Sequence, residues 1–474
     1  MKNFKHHGSI TLLVLVFGGV FFTILMALSG FVLVQNHTQE LTREKAEAFD
    51  IAEAGLDYYR WFLSHFPGNT TNGTGHAGPY VTTYLDPEGG TAGTYSLSVA
   101  GNSSCGVVQS IDVTSTGVPN DAAGISSILV ARYAAPSVAA YSYIINSSVW
   151  AGDDRIINGP YHSNGGVRMD GTPNAPVSSS LSTWDCTSSF GCSPRQSSAH
   201  GVVGSGGNQN LWDYPTPQVD FTAIATNFTT LKTKAQASGL YLARYSTSSG
   251  HNPNPNIGYH LIFNANGTVT VKKVTSVSTL DVQPINTTDG SSDYTLINNE
   301  TNYQTLTLPS QCGLIFVEDN TWIEGVIPSK VTLVVADVAD QGIYPDVVLH
   351  GNITYASNDG TDGFTVIGAH NILIAPDSPT NMTLNGIFVA QSGAFGRNLY
   401  DCPGSYEPKG TLTILGTTVS NLRTGTKWMN GCYGDDAGYQ TRVDAFDRQN
   451  STNPPPFTPT TSTQWQFVDW RQTQ

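Results

Sequence analysis

The chain has 474 residues, a formal net charge of −14 and only 22 lysine and arginine residues. This balance excludes a broad electrostatic interface with nucleic acid, because such an interface depends on many basic side chains. Charged residues make up 12% of the chain and glycine alone accounts for 48 residues. The composition is typical of an exported β-rich protein rather than a cytosolic enzyme, and the length indicates two or three domains.

The first notable segment is the stretch from Gly8 to Val34, which contains no charged residue. It exceeds the roughly 20 apolar residues that a membrane-spanning helix needs. It is also longer than a signal-peptide core, and no Ala-x-Ala cleavage site follows it. Lys2 and Lys5 precede it, so the positive-inside rule keeps the N-terminus in the cytoplasm and exports everything after Val34. A plain, uncleaved membrane anchor is one interpretation of this segment.

The helical pattern continues beyond the apolar stretch. From Gln35 to Phe66 there is no proline and the only glycine is Gly55. Apolar residues recur at helical spacing along one face of this segment. They are Ala48, Ala52, Leu56, Tyr59 and Leu63. The sequence therefore predicts one continuous helix from about Ile10 to Leu63, about 80 Å long at 1.5 Å per residue, ended by Pro67-Gly68.

A short basic leader, then Gly8-Ser9, then an apolar helix that becomes amphipathic, resembles a type IV prepilin. The segment AFDIAEAGLDYY, from Ala48 to Tyr59, is similar to the corresponding segment of PilX-type minor pilins. The resemblance implies that prepilin peptidase cuts between Gly8 and Ser9. It also implies that the helix lies first in the inner membrane and later in the core of a pilus.

One position departs from the pattern of major pilins. These proteins carry glutamate at the fifth mature position, where this chain has Leu13. The difference argues against a bulk filament subunit. It fits PilX-type proteins and the K-type pseudopilin of type II secretion, and it is also compatible with an uncleaved anchor.

All cysteines follow the apolar segment, and the chain has six of them. An even number in an exported chain favours three disulfides. We expect Cys186 to pair with Cys192 and Cys402 with Cys432, because each pair closes a short loop, which leaves Cys105 for Cys312. A zinc site at the cysteines is a weaker alternative, since there is no C-x2-C and no histidine near them in sequence.

The N-terminal third is predicted to be a pilin-like unit. It would consist of a leader at 1–8, the helix at 9–66 and a small β subdomain at 67–140. Three strands are predicted in that subdomain, with Ser115-Thr116-Gly117 as the turn before the third, at Thr94–Ala100, Val107–Ser115 and Ile128–Tyr133. Packing of this sheet on the helix would bury the stripe formed by Ala52, Leu56 and Tyr59.

A different pattern begins near residue 141, where short apolar strands recur around a glycine. Examples are TWIEGVI, VVLHGNITY, FTVIGAHNILI, MTLNGIFVA and LTILGTTVS. Gly351, Gly368 and Gly386 are spaced by about one coil of a β-solenoid, and glycine can turn a sharp corner between strands. We therefore predict a β-solenoid-like domain at 141–178 and 311–445, with a β-sandwich as the alternative.

Residues 179–310 interrupt this pattern and are predicted to form an inserted α+β subdomain. A single helix is expected after Asp220 as its N-cap, carrying an apolar stripe. The stripe comprises Phe221, Ile224, Ala225, Phe228, Leu231 and Ala235. A hairpin is expected from His260 to Val271 with Asn266-Gly267 at its turn. The segment 446–474 is proline-rich and is expected to end in a last strand near Trp465 and Phe467.

Clustered carboxylates with a basic residue are the main candidates for chemistry, because solenoid enzymes that act on polysaccharides use such groups, often with Ca²⁺. The candidates are Asp153, Asp154, Arg155, Asp337, Asp340, Asp346, Asp359 and Asp362. Asp359 and Asp362 lie in the run NDGTDG, a weak Ca²⁺ candidate that is also an ordinary turn sequence. No other metal site, no cofactor and no catalytic residue is predicted.

Histidines are given no ligand role by the sequence. His162 and Ser163 lack an evident oriented acid, which argues against a nucleophilic triad. His350 and His370 fall in strand or turn positions and are expected to be packing or surface residues.

Together these features predict a minor pilin-like subunit of a type IV filament that displays a large exported β domain for pilus assembly or surface adhesion. Its expected partners are other pilins, the pilus assembly machinery, prepilin peptidase, the inner membrane and an unknown surface or receptor. The alternatives are a membrane-anchored β-solenoid enzyme acting on polysaccharide and a type II secretion pseudopilin.

Overall fold

We describe a computed structural model of the chain, which covers residues 9–66, 68–245, 256–338, 344–401 and 404–473. The fold is mainly β with a long N-terminal helix, as predicted. The chain divides into two compact units. Unit 1 comprises the described residues of Met1–Gly101, Ile111–Tyr133 and Asp469–Gln474, and unit 2 comprises those of Asn102–Ser110 and Ala134–Val468.

The N-terminal helix of unit 1, α1, spans Ser9–His65 without interruption. Every described side chain from residue 10 to residue 40 is exposed. Beyond that point one face becomes buried, as the spacing of its apolar residues predicted. The buried residues of this face are Ala48, Ile51, Ala52, Leu56, Tyr59, Phe62 and Leu63.

The partner of this buried face is a five-stranded sheet. Its neighbouring strands, in spatial order, are Tyr80–Leu85, Thr91–Ser104, Val107–Pro119, Ser127–Ala134 and Gln466–Thr473. The first and second strands are antiparallel, as are the third and fourth. Apolar side chains alternate with exposed ones along these strands, so the sheet buries one face.

The predicted turn at Ser115–Gly117 is wrong, because these residues lie inside the strand Val107–Pro119. Gly117 is needed there for close packing rather than for a turn. A Cβ atom on Gly117 would lie 2.3 Å from the carbonyl oxygen of Ala48 and 2.5 Å from the amide nitrogen of Ala52. The missing side chain therefore lets the sheet approach the backbone of α1.

Unit 2 is a β-solenoid, built from strands that stack in parallel from coil to coil. The longest row runs through Leu240–Leu242, Leu314–Val317, Lys330–Val335, Gly363–Gly368, Met382–Ala390, Lys409–Ser420, Tyr143–Ile145, Tyr161–Ser163, Val177–Ser179 and Trp212–Asp213. A second row runs through Gly258–Asn264, Asn320–Ile327, Val347–Tyr355, Ile372–Ile374 and Phe395–Gly396. Short parallel rows complete the remaining sides, with strands at Asp435–Ala445, Arg155–Asn158, Thr172–Pro173, Val149–Ala151, Val167–Met169 and Val202–Val203.

The segment 179–310 is not separate from the solenoid, in contrast to the predicted insertion. Its strands Trp212–Asp213, Leu240–Leu242 and Gly258–Asn264 all belong to the parallel rows. The hairpin at Asn266-Gly267 is present and joins Gly258–Asn264 to Thr268–Asp281. The latter strand pairs in turn with Ser292–Thr307.

The helix predicted after Asp220 is two helices, Phe221–Ile224 and Phe228–Ser238. Asp220 caps the first, and Asn227 caps the second by accepting a hydrogen bond from the amide of Thr230 at 3.0 Å. At the break, Ala225 and Asn227 have extended backbone conformations, which end the first helix and place Asn227 as the N-cap of the second. The remaining elements are Val138–Ala140, Thr183–Cys186, Ser188–Phe190, Gln196–His200, Gln209–Leu211, Lys427–Cys432 and Arg448–Thr452.

Apolar side chains fill the interior of the coils. Leu261, Ile323 and Leu349 lie on neighbouring strands of the second row and are fully buried in one cluster. Of the spaced glycines, Gly386 has the positive φ expected of a corner, at 155°. Since side chains alternate along a strand, the residues directly before and after Leu261, Ile323 and Leu349 point away from the interior.

Candidate functional sites

The first candidate site is the exposed apolar half of α1. It is the one helix in the described part of the chain that is long and apolar enough to cross a membrane. Leu13 is exposed with the rest of this half. Of the predicted processing pair, Ser9 begins the helix, while Gly8 lies outside the described residues.

Disulfides join two of the predicted cysteine pairs in unit 2. Cys105 is bonded to Cys312 and Cys186 to Cys192. Cys402 lies outside the described residues, so its pairing with Cys432 remains a prediction.

Of the candidates at 153–155, Asp154 and Arg155 form ion pairs, while Asp153 lines a cavity beside Arg155 and Arg442. Asp154 accepts two hydrogen bonds from Arg442, at 2.7 and 2.8 Å, and Arg155 lies 2.5 Å from Asp444. Burial alone would raise the pKa of Asp154, but Arg442 outweighs it and lowers the pKa. Asp154 and Arg155 are therefore held in structural ion pairs between neighbouring coils.

The other candidate aspartates also have local partners. Asp337 lies 3.4 Å from Arg244, and Asp346 lies 2.8 Å from Nδ1 of His370. Asp340 lies outside the described residues.

The weak Ca²⁺ candidate at Asp359 and Asp362 is a turn whose carboxylates accept hydrogen bonds from neighbouring residues of the same turn. Asp359 accepts hydrogen bonds from Ser357 and Thr361, which lower its pKa to about 2. Asp362 is buried and accepts the amide hydrogen of Ser357 at 2.6 Å. Their oxygens thus serve turn hydrogen bonds, as Asx turns do in general.

His162 is an anchored core residue. Its ring nitrogens lie 2.9 Å from the hydroxyl of Ser178 and 2.9 Å from the side-chain oxygen of Asn164. Burial lowers its pKa, and Ser163 donates to the carbonyl of Ser147 instead of to this ring. A nucleophilic triad is therefore not assembled at His162 and Ser163.

A second candidate site lies on the outer face of the solenoid's second row, and we call it the histidine–carboxylate ladder. It consists of His260, Glu324, His350 and Asp377, joined in that order. Nε2 of His260 lies 3.3 Å from Oε1 of Glu324, and Nδ1 of His350 lies 3.5 Å from Oε2 of Glu324. Nε2 of His350 lies 3.5 Å from Oδ2 of Asp377.

The register of the parallel strands brings the ladder together. His260, Glu324 and His350 directly precede or follow the core residues Leu261, Ile323 and Leu349, so they point outward from the same row. Gly351 leaves room for the side chain of Glu324, since a Cβ at Gly351 would lie 2.0 Å from Oε2 of Glu324.

The paired strands Thr268–Asp281 and Ser292–Thr307 add two charged residues beside the ladder. Glu300 lies 2.7 Å from Nδ1 of His260 and also contacts Lys272. His260 is only 3% exposed, and the two rings of His260 and His350 are 4.9 Å apart. Burial disfavours the charged form of His350, but Asp377 and Glu324 outweigh it and raise its pKa to about 9. The nearby imidazoles of His260 and His350 hold the pKa of Glu324 well below its usual range.

The ladder was missed by the sequence reasoning, which expected His350 to be a packing or surface residue. One available signal was that Glu324 and His350 each directly precede the glycine of their coil motif, in TWIEGVI and VVLHGNITY. Residues at equivalent positions of neighbouring coils stack, so a polar pair there indicates a contact.

Comparison with solved structures finds a likeness to the competence-associated pilin ComZ from Thermus thermophilus. The alignment has 12% sequence identity and a TM-score of 0.32, and it covers 91% of this chain and 97% of that one. No family model and no curated protein matches the chain. A likeness this distant does not establish a shared function.

Proposed function

We propose that the protein is a minor pilin-like subunit of a type IV filament. Unit 1 would enter the filament, and unit 2 would be the exported β domain that it displays for pilus assembly or surface adhesion. The observation that carries this proposal is α1, a single 57-residue helix that is exposed and apolar in its first half and buried against its own sheet in its second half.

Water is a poor environment for the first half of α1. Large apolar side chains such as Ile10, Phe17 and Leu33 are each more than half exposed, and covering such surface contributes about 25 cal/mol per Å². Lipid could cover this surface in the membrane, and helices of the same kind could cover it in a filament. The second half is already covered by the sheet, so it would hold the exported part at a fixed point of the helix.

Leu13 favours a minor role over that of a bulk subunit. Without a carboxylate at that position, the helix lacks a charge that could pair with the new N-terminus of a neighbouring subunit. We therefore expect few copies per filament, alongside other pilins and the assembly machinery.

Processing at Gly8 tests the proposal. In the native host, the mature protein should begin at Ser9, and Gly8→Trp should leave uncut precursor in the membrane fraction. The matched control is Gly18→Ala in the same helix, where an added Cβ meets no other atom within 4 Å. Mass spectrometry of the N-terminus and immunodetection in sheared filaments would provide the readouts.

A mature chain that still begins at Met1 or Lys2 would overturn the pilin assignment and favour a plain anchor. Correct processing with the chain absent from every filament fraction would instead favour a secretion pseudopilin.

A further inference from the structure

We propose that His260, Glu324 and His350 form a binding site for a divalent transition-metal ion, with Zn²⁺ as the best fit. This inference concerns unit 2 alone and does not depend on the filament role.

The donor atoms have the spacing that such an ion requires. One ligand atom from each residue lies within 4.8 Å of the other two. The two nitrogen–oxygen separations to Glu324 are 3.3 and 3.5 Å. Ligands bound tetrahedrally to zinc at about 2.0–2.1 Å are about 3.3–3.4 Å apart, so each ring nitrogen already lies near that distance from one oxygen of Glu324, Oε1 for His260 and Oε2 for His350.

Two buried nitrogen atoms in the site, Nε2 of His260 and Nδ1 of His350, lie near Glu324 without forming a hydrogen bond of good geometry. Both face Glu324. A buried polar atom without a partner is destabilising, and such atoms are rare in folded proteins. One metal ion held between the two rings and Glu324 would satisfy both nitrogens.

The outer nitrogens of both histidines face carboxylates. Glu300 lies 2.7 Å from Nδ1 of His260, and Asp377 lies 3.5 Å from Nε2 of His350. Histidines that bind metal usually donate their second ring N–H to a carboxylate or carbonyl, which fixes the tautomer and the ring orientation. Here each ring has one nitrogen near Glu324. The other nitrogen lies near a second carboxylate, Glu300 for His260 and Asp377 for His350.

The donor set selects among ions. Two imidazoles and one carboxylate suit Zn²⁺ and its transition-metal neighbours, while Ca²⁺ and Mg²⁺ prefer oxygen ligands alone. The three residues come from the neighbouring strands Gly258–Asn264, Asn320–Ile327 and Val347–Tyr355. A bound ion would therefore fasten successive coils of the solenoid to each other.

Metal titration of the full chain in detergent micelles tests the site. After treatment with a chelator, the wild-type protein should bind one equivalent of Zn²⁺ tightly by competition calorimetry. Co²⁺ in its place should give the intense visible absorption of a four-coordinate site. Glu324→Gln and His350→Gln should each weaken binding by at least tenfold. The matched control is His370→Gln, which removes a part-buried histidine that also contacts a carboxylate, Asp346, but lies outside the site; its affinity should equal that of the wild type.

Thermal unfolding gives an independent readout. Zn²⁺ in large excess should raise the melting temperature of the wild type and of His370→Gln, because a ligand that binds only the folded state stabilises it. The same addition should raise the melting temperature of Glu324→Gln by less, and circular dichroism would verify that this variant is folded.

Absence of saturable Zn²⁺ binding by the wild type would overturn the proposal, whatever the variants do. An equal loss of Zn²⁺ affinity in His370→Gln and His350→Gln would also overturn it. Binding that persists in Glu324→Gln but disappears when His6 and His7 are replaced by alanine would place the ion at the N-terminus and would equally overturn it.

Discussion

At the scale of single residues, Gly117 shows how tightly unit 1 is packed. We predict that Gly117→Ala destabilises the protein by about 1–3 kcal/mol, the usual cost of an extra carbon in a filled core. The added Cβ would meet backbone atoms of α1, which cannot rotate away as a side chain can. Urea unfolding of the full chain in detergent micelles, followed by circular dichroism, measures the effect.

Gly124→Ala is the matched control, because it lies in the connection after the same strand and its Cβ would meet nothing within 4 Å. Equal unfolding midpoints for the two variants would show that the helix and the sheet are less closely packed than described.

At the scale of elements, the two disulfides of unit 2 differ in the length of chain they close. Cys105 and Cys312 are 207 residues apart, whereas Cys186 and Cys192 are 6 apart. In the chain-entropy model, the long loop contributes about 5 kcal/mol and the short one about 2 kcal/mol. We therefore predict that replacing Cys105 and Cys312 by serine lowers the melting temperature more than replacing Cys186 and Cys192.

Calorimetry of the two double variants without reductant, in the same detergent, makes the comparison. A larger loss on removing the short disulfide would indicate that local packing of the loop around Trp184 and Phe190 matters more than chain entropy.

Elements that depend on local periodicity could be predicted from the sequence, while those that depend on distant partners could not. The helix α1 and the hairpin at Asn266-Gly267 follow from spacing and turn chemistry over a few residues. Ser115–Gly117 has turn composition, yet Gly117 serves a contact with a helix far away in sequence. His350 gave no signal on its own, because its contacts with Glu324 and Asp377 exist only once the coils stack in register.

At the scale of the whole molecule, most of unit 2 is one continuous stretch of chain, which lies in sequence between two segments of unit 1. Gln472 donates to the hydroxyl of Ser127, and Thr473 donates to the carbonyl of Ile128. The end of the last strand thus lies beside the start of Ser127–Ala134, and the two are neighbours in the sheet. Beyond the ends of these strands, Ser137 and Thr460 form an antiparallel bridge, so the chain leaves and returns at neighbouring points, as expected for a domain inserted into a host domain.

This topology predicts that unit 2 can be removed without unfolding unit 1. Simple truncation after residue 140 would take away the strand Gln466–Thr473 and expose an unpaired sheet edge. Replacing residues 136–464 by a short Gly/Ser linker keeps that strand, and Cys105→Ser removes the thiol left without Cys312.

We expect this shortened chain to retain its helix by circular dichroism, to be processed and to enter filaments, while cells expressing it attach to surfaces no better than cells lacking the protein. The reason is that the proposed assembly element lies in unit 1 and the proposed display element in unit 2. Filament fractions probed by immunoblotting and an attachment assay give the two readouts, with the shortened chain carrying Gly8→Trp as the control that should not enter filaments. Undiminished attachment would indicate that unit 1, rather than unit 2, carries the adhesive function. A folded, processed but unincorporated chain would show instead that unit 2 itself is required for assembly.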